Sequence, residues 1–191
     1  MKIDLWFPTP IYSEENILDD YENKKLCDRI LELKNQSESG GKNWLCNTFN
    51  TLDSVDIKDE KVFSSLINKT TYHVNNFAKQ FNCVEEYTCK DFWGNVYGYK
   101  DYQEYHVHTH STFSAVYFAK CPEGSGDLIF ENPFSVDMHE IKNISENNQF
   151  TYKNCSYSAV EKRLIIFRSH LKHMVKQGLN HDYRISFAFN F

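Results

Sequence analysis

Arg184-Ile185-Ser186-Phe187-Ala188-Phe189-Asn190-Phe191 alternates without a break. Ile185, Phe187, Phe189 and Phe191 are large and apolar, whereas Arg184, Ser186, Ala188 and Asn190 bring a cation, a hydroxyl, a methyl and an amide. Successive side chains of a β-strand point to opposite faces. One face of this strand is therefore wholly apolar and requires burial, and the other is polar. In a jelly roll the two faces of a strand look into the barrel lumen and out of it. With helices covering the outer face, the polar row lines the lumen, and a polar lumen suits a small polar ligand.

Working outward, the preceding hundred residues have the same texture. Strands are predicted over 86–97, 112–120, 127–130, 149–157, 163–167 and 183–191, rich in Phe, Tyr, Val and Ile. Pro122-Glu123-Gly124-Ser125-Gly126 marks a turn between two of them. The first third reads as helical. Leu18, Tyr21, Leu26, Ile30 and Leu33 recur at helical steps over 17–33, with Gly40-Gly41 closing that stretch. Val62, Phe63, Leu66, Ile67, Thr70, Val74, Phe77, Ala78 and Phe81 fall on one face of a second helix. Between the helices, 44–51 reads as extended or loop. Many short strands after a helical front predict a mainly β fold: a double-stranded β-helix (jelly roll) with helices packed on one sheet. The expectation is one domain over 1–191, helical over about 1–83 and jelly roll over 84–191.

Composition bounds what such a domain does. The 191 residues, 41% hydrophobic and 16% aromatic, suffice for one proper core. A net charge of −5 argues against bulk nucleic-acid binding. No apolar run approaches the roughly 18 residues of a membrane span, and the opening Met1-Lys2-Ile3-Asp4 has no signal-peptide pattern. The six cysteines include no C-x-x-C pair and read as reduced packing residues. A cytoplasmic protein is expected. The oligomeric state is not legible, a homodimer being allowed.

Tyr105-His106-Val107-His108-Thr109-His110 sets three imidazoles at alternate positions. In an extended chain they share a face, with neighbours about 6–7 Å apart, so two of them can reach one ion. A surface His-rich turn would read the same way. The second half of the site lies downstream, where a buried strand, Leu164-Ile165-Ile166-Phe167, leads into Arg168-Ser169-His170-Leu171-Lys172-His173. A jelly-roll metal site takes two ligands from one strand end and one from a distant strand, here His170 or His173. Eleven residues separate His173 from Arg184, room for a strand, a turn at Gly178-Leu179-Asn180, and an antiparallel return that would set Arg184 beside His173. An arginine in a polar lumen beside a metal wants an anion, and its planar fork matches a carboxylate. Ser186, on the same face, offers a second bond. A dicarboxylate that chelates the metal at one end and meets Arg184 at the other binds as 2-oxoglutarate does. The plainer alternative makes Arg184 half of a structural ion pair.

The chain resembles the 2-oxoglutarate- and Fe(II)-dependent oxygenases, and within them a small group of marine bacteria and their phages. The resemblance runs through Phe7-Pro8-Thr9-Pro10-Ile11-Tyr12, Trp93-x-Asn95, Tyr102-Gln103, His106-x-His108 and Ser114-Ala115-Val116-Tyr117-Phe118. Its most specific part is the close: Leu164-Ile165-Ile166-Phe167-x-Ser169, Leu171-x-His173-x-Val175 and Arg184-Ile185-Ser186-x-Ala188-Phe189-Asn190. The resemblance implies a double-stranded β-helix, Fe(II) on His106 and His173, O₂, and 2-oxoglutarate with its far carboxylate on Arg184 and Ser186. His108 stands where most of the superfamily has Asp or Glu. Ala115, Arg168 and His170 depart from the group's usual Gly, Pro and Trp.

The chain has no H-x-D or H-x-E, so the usual two-His, one-carboxylate triad cannot come from the local motif. Either His108 completes a face of three histidines, or Asp101, Glu104 or Glu131 reaches in from elsewhere. Fe²⁺, a dianionic chelator and three neutral imidazoles sum to zero charge, which eases burial; zinc would suit three histidines equally. The expected activity is a dioxygenase that hydroxylates an unactivated C–H bond of a small molecule or a protein residue, with His106, His108 and His173 on the metal and Arg184, Ser186 and Asn95 on 2-oxoglutarate. Trp93, Tyr97, Tyr105 and Tyr117 are candidates for the substrate mouth, against plain packing. The competing classes are a three-His, cupin-like dioxygenase without 2-oxoglutarate, and a non-catalytic jelly-roll binding or structural protein.

Overall fold

Alternation along the strands sorts the large apolar side chains into two cores, and the boundary between them is a single six-stranded sheet. The computed structural model describes residues 1–37, 45, 48–52, 54–134 and 141–191. In chain order the elements are β1 (Tyr12–Glu14), α1 (Asp20–Gln36), β2 (Phe49–Asn50), a 3₁₀ turn (Lys61–Phe63), α2 (Ser64–Lys79), β3 (Asp91–Tyr97), β4 (Gln103–His106), β5 (Phe113–Lys120), β6 (Leu128–Glu131), β7 (Asn154–Tyr157), β8 (Leu164–Arg168), β9 (His173–Val175) and β10 (Arg184–Asn190). Two antiparallel sheets result, β1-β8-β5-β10-β3-β2 and β4-β9-β6-β7.

The six predicted strands are β3, β5, β6, β7, β8 and β10, with adjusted ends. Two start five residues late: β3 begins at Asp91 rather than Glu86, and β7 begins at Asn154 rather than Gln149, after a turn in which Thr151 N–H donates to Asn148 O (2.9 Å). The helical front also supplies the two edge strands of the larger sheet, β1 and β2. Gly40-Gly41, and 44, 46 and 47 of the segment read as extended or loop, lie outside the described residues.

On the outer face of the six-stranded sheet, Phe92, Val96, Phe113, Ala115, Tyr117, Leu164, Ile166, Ile185, Phe187, Phe189 and Phe191 pack against Leu26, Ile30 and Leu33 of α1 and Leu66, Val74 and Phe77 of α2. Helix α1 starts where Asp19 Oδ1 accepts from Glu22 N–H (2.7 Å), an N-cap that satisfies one orphan amide. Its inward Asn23 donates to Ala119 O and accepts from Tyr117 O–H, both at 2.8 Å. Tyr117 thus points at the helices, away from the lumen, and its reading as a mouth residue is corrected: the alternation of β5 puts it on the same face as Phe113 and Ala115. Gly94 faces α1 as well, where a Cβ would lie 2.6 Å from Ile30 Cδ1, so the glycine lets helix and sheet approach closely.

The inner face packs Tyr97, Val116, Phe118, Ile165 and Phe167 against Leu128, Phe130 and Val175 of the smaller sheet and Leu171 of the turn before β9. One expectation about this space fails. Strand β9 pairs with β4 and β6 in the four-stranded sheet, while β10 lies between β5 and β3. His173 and Arg184 are therefore on opposite walls of the barrel, not on adjacent strands, because the 176–183 connection crosses between sheets.

That crossing is bonded to the one between β5 and β6. Leu179 N–H donates to Gly124 O (2.8 Å) and Lys176 N–H to Asp127 O (2.9 Å). The approach leaves no room at Gly126, where a Cβ would lie 1.8 Å from Lys176 O. Gly126→Ala should therefore cost ~2–3 kcal/mol by forcing two backbones apart. Gly98→Ala, whose Cβ meets Asp101 Oδ2 at an ordinary 3.4 Å, should be close to neutral. Denaturant midpoints of the two variants measured side by side check this; equal midpoints would mean the crossing is not tight.

Candidate metal centre

His106 ends β4, and the chain leaves the sheet there. His108 N–H donates to Ser169 O (3.0 Å) from outside any strand, and His110 adopts a positive φ of 65° in an exposed turn. The expected common face of three alternate imidazoles thus holds for two of them. The third side of the cluster is His173 at the start of β9, directly opposite His106 in the β4–β9 register. One potential ligand atom from each of His106, His108 and His173 lies within 4.8 Å of the others. Ring centroids are 4.3 Å apart for His106–His173, 5.0 Å for His108–His173 and 5.2 Å for His106–His108. His170 is exposed and outside the group.

Among the described residues no carboxylate belongs to this cluster. The three acids that might have reached in have other partners. Asp101 Oδ2 accepts from Gly98 N–H (2.6 Å), Glu104 accepts from Leu45 N–H (2.9 Å) and Gln103 Nε2 (3.1 Å), and Glu131 pairs with Lys172 (2.8 Å).

Each imidazole has its Nδ1 engaged. His106 Nδ1 bonds Glu104 O and His173 Nδ1 bonds Leu171 O, both at 2.8 Å. A carbonyl only accepts, so these Nδ1 atoms carry the proton and Nε2 keeps its lone pair. His108 Nδ1 lies 2.5 Å from Asn190 Oδ1 and 2.9 Å from Ser114 Oγ. Engaging one ring nitrogen to free the other is how proteins orient histidine ligands. This donor set fits a divalent ion that takes imidazole nitrogens, Fe(II) included.

Burial keeps the rings neutral, the form a metal needs. Desolvation pushes His108 down to about 4, with Asn190 opposing and His106 adding to the fall. Burial, then the neighbouring His106 and His108, drive His173 well below the usual histidine range. Burial also lowers His106, against the opposing Glu104 carbonyl.

The cluster opens into a small cavity of about 40 Å³ between the sheets, bounded by the histidines and by Trp93, Asn95, Tyr97, Gln103, Val116 and Ser186, among others. Trp93, Tyr97 and Asn95 thus face the lumen; Tyr105 lies on the surface by Lys172. Gln103 is a further lumen residue for which the sequence predicts no role: an odd spacing from His106 puts it on the opposite face of a regular strand, and the register shift between the two brings it to the same side. Arg184 is 1% exposed. Its guanidinium lies 4.5 Å from the Tyr97 ring and 5.2 Å from the Phe118 ring, and Nη1 donates to Ser186 Oγ (3.2 Å). Its Nε and Nη2 are buried with no hydrogen-bond partner, so the structural ion-pair alternative has no carboxylate to name among the described residues.

The sequence model of a family described as "Putative 2OG-Fe(II) oxygenase" matches residues 91–190. Solved structures of similar fold include a prolyl-4-hydroxylase from Pseudomonas putida (TM-score 0.65, 12% identity, 95% of this chain and 92% of that one). Others are the viral collagen prolyl hydroxylase of Paramecium Bursaria Chlorella virus-1 in its 2OG complex (0.60, 13%, 94% and 94%) and HygX from Streptomyces hygroscopicus with nickel and 2-oxoglutarate bound (0.61, 8%, 95% and 82%). These likenesses bear on the fold. The comparison with curated proteins gives no match.

The histidine shifts have a thermodynamic consequence. Folded values lie below the ordinary 6.5, so the unfolded chain binds more protons than the folded one as pH drops beneath that value. Stability of metal-free protein should fall from about pH 6.5 downward, His108's share being complete near pH 4. Denaturant midpoints of chelator-treated protein across that window, beside those of His108→Gln, test it: the variant should show a shallower decline, and an unchanged slope would put the pH dependence elsewhere.

Proposed function

This chain belongs to the 2OG-Fe(II) oxygenase family, a 2-oxoglutarate-dependent oxidoreductase family whose cofactor is Fe(II) and whose cosubstrates are 2-oxoglutarate and O₂, and on that premise we propose that it is a hydroxylase whose metal ligands are His106, His108 and His173. Arg184 and Ser186 take the far carboxylate of 2-oxoglutarate, and Asn95 lines the same pocket. The observation that carries the reading is the buried Arg184 with two unpartnered N–H edges. A buried guanidinium with no counter-anion is costly, and the cost is relieved by a ligand that brings a carboxylate to it.

Bound iron and 2-oxoglutarate supply the oxidising chemistry, with oxidative decarboxylation of 2-oxoglutarate to succinate and CO₂. The protein supplies geometry. Main-chain carbonyls at 104 and 171 fix two imidazoles. Tyr97 and Phe118 hold the guanidinium plane while Ser186 anchors Nη1, which leaves Nε and Nη2 for the anion. Trp93 and Val116 furnish apolar wall that excludes water from the reacting end. The prolyl hydroxylases among the similar folds support a protein residue as one substrate class; a small molecule is the other. We take residues 1–191 as one oxygenase domain. No described helix is long and apolar enough to cross a membrane, and the five described cysteines are free thiols, which supports a reducing cytoplasm, in a bacterium or a phage-infected cell.

Anaerobic addition of Fe(II) and 2-oxoglutarate should give a weak visible charge-transfer band, and oxygen uptake should require 2-oxoglutarate. Arg184→Ala should raise the 2-oxoglutarate concentration for half-saturation by about 10–100-fold, the loss of a charge-assisted pair of about 1.5–3 kcal/mol, while iron stays bound. His173→Ala should remove the iron. Oxygen uptake without 2-oxoglutarate would instead favour a three-His dioxygenase of the cupin kind.

A further inference from the structure

Two of the three clustered histidines are oriented by main-chain carbonyls, which no substitution removes. His108 differs: its Nδ1 is met by side chains, Asn190 Oδ1 at 2.5 Å and Ser114 Oγ at 2.9 Å. The sheet register explains how they come together. Asn190 is directly opposite Asp91 in the β10–β3 pair and opposite Ser114 in the β10–β5 pair. Asp91, Asn190 and Ser114 therefore form one row across three strands, at the end of the sheet beneath His108.

The row has a chemical direction. Asn190 Nδ2 donates to Asp91 Oδ2 at 3.0 Å. A carboxylate only accepts, so the amide nitrogen must face Asp91; the reversed amide would set oxygen against oxygen there. The amide oxygen is then committed to the His108 side. An amide oxygen also only accepts, so His108 Nδ1 must donate and Nε2 holds the lone pair. Ser114 Oγ, which lies 3.1 Å from Asn190 Oδ1 and 2.8 Å from Ser169 Oγ, has neighbours for its own proton and a lone pair left for the imidazole. Asp91 thus dictates the tautomer of a histidine it does not touch.

We infer that Asn190, held by Asp91 and assisted by Ser114, is the positioning residue that makes His108 a metal ligand in the place where a carboxylate would otherwise be found. This rests on the reading of His108 as a ligand. The row does for His108 what the carbonyls at 104 and 171 do for the other two histidines, with a difference: its outer end is a carboxylate, so the chain also feeds negative charge toward the ring and raises its strength as a donor.

The test uses full-length protein without 2-oxoglutarate. Nitrogen-15 NMR of the metal-free protein should find His108 protonated at Nδ1, and Asn190→Leu should give a mixture of tautomers. Anaerobic Co(II) titration, followed by its ligand-field bands, should show about 10–100-fold weaker binding in Asn190→Leu. The double variant Asp91→Asn with Asn190→Asp keeps a donor and an acceptor in reversed places and preserves shape; it should bind Co(II) at least as well as wild type. Wild-type Co(II) affinity and His108 tautomer retained in Asn190→Leu would overturn the inference while leaving the three-histidine site standing. A double variant as weak as Asn190→Leu would overturn it too. The predicted tautomer and its loss in Asn190→Leu, in a wild-type protein that binds no Co(II), would instead remove the metal-site reading and leave the positioning row in place.

Discussion

The constraint on which the site depends is the register of β10. Ile185, Phe187, Phe189 and Phe191 are each fully buried against the helices. A slip of one residue would put all four into the lumen and turn Arg184 and Ser186 into an apolar core. Burial of a side chain of this size contributes roughly 1.5–3 kcal/mol, so four of them lock the strand far more firmly than any single polar contact could. The lumen chemistry is a consequence. With the apolar row committed outward, Arg184, Ser186 and Asn190 have no alternative to facing the smaller sheet. The two aromatic walls beside Arg184, Tyr97 and Phe118, are the inward members of β3 and β5 under the same rule.

The two sheets then divide the labour. The four-stranded sheet holds His106 and His173 across one antiparallel pair, where neighbouring Cα positions bring side chains close together. The six-stranded sheet holds Arg184, Ser186 and Asn95, with Ser186 and Asn95 directly opposed in the β10–β3 pair. The histidines share the cavity with Ser186 and Asn95 of the opposite sheet, and Arg184 lies two residues from Ser186 on the same face of β10, instead of beside His173. On the proposed reading, a ligand reaching from the histidines to Arg184 would pass from one sheet to the other, which favours an elongated molecule with a different group at each end over a compact one. This bears on the choice between 2-oxoglutarate and a small directly bound substrate.

Much of this was legible in the sequence wherever a period ran long enough to be read. The eight-residue alternation of 184–191 gave both faces correctly, and the apolar positions from 62 to 81 describe the buried side of the 3₁₀ turn and α2 well. The short elements escaped. Strands β1, β2 and β4 have two to four residues each, too few to establish a period. The supposed hairpin from His173 to Arg184 failed for another reason. A strand-turn-strand and a strand-crossing-strand use the same residue types, and only sheet membership separates them. Tyr117 illustrates a third limit: alternation assigned it a face, but which face of β5 meets the helices depends on packing that no local pattern encodes. The row Asp91–Asn190–Ser114 was beyond reach altogether, since it exists only once three strands are in register.

Replacing a carboxylate ligand by His108 changes the charge of the proposed site by one unit, and the structure has an answer to it. Fe(II) and dianionic 2-oxoglutarate cancel, three neutral imidazoles add nothing, and the buried Arg184 leaves one positive charge. A carboxylate ligand would have cancelled it directly. Here a compensating group is Asp91, one amide away from His108 through Asn190. Placed at the rim, Asp91 keeps most of its own hydration, so its charge need not be desolvated as an inner ligand's would be. The field it exerts is weaker for the same reason. The exchange is therefore a directly bound anion for a neutral nitrogen ligand with an anion at one remove. A metal held this way keeps more of its positive character, and it draws correspondingly harder on the anion that completes its coordination. On the proposed reading Arg184 pulls on the same molecule from its other end, so the metal and the guanidinium would act together on a ligand with a carboxylate at each end.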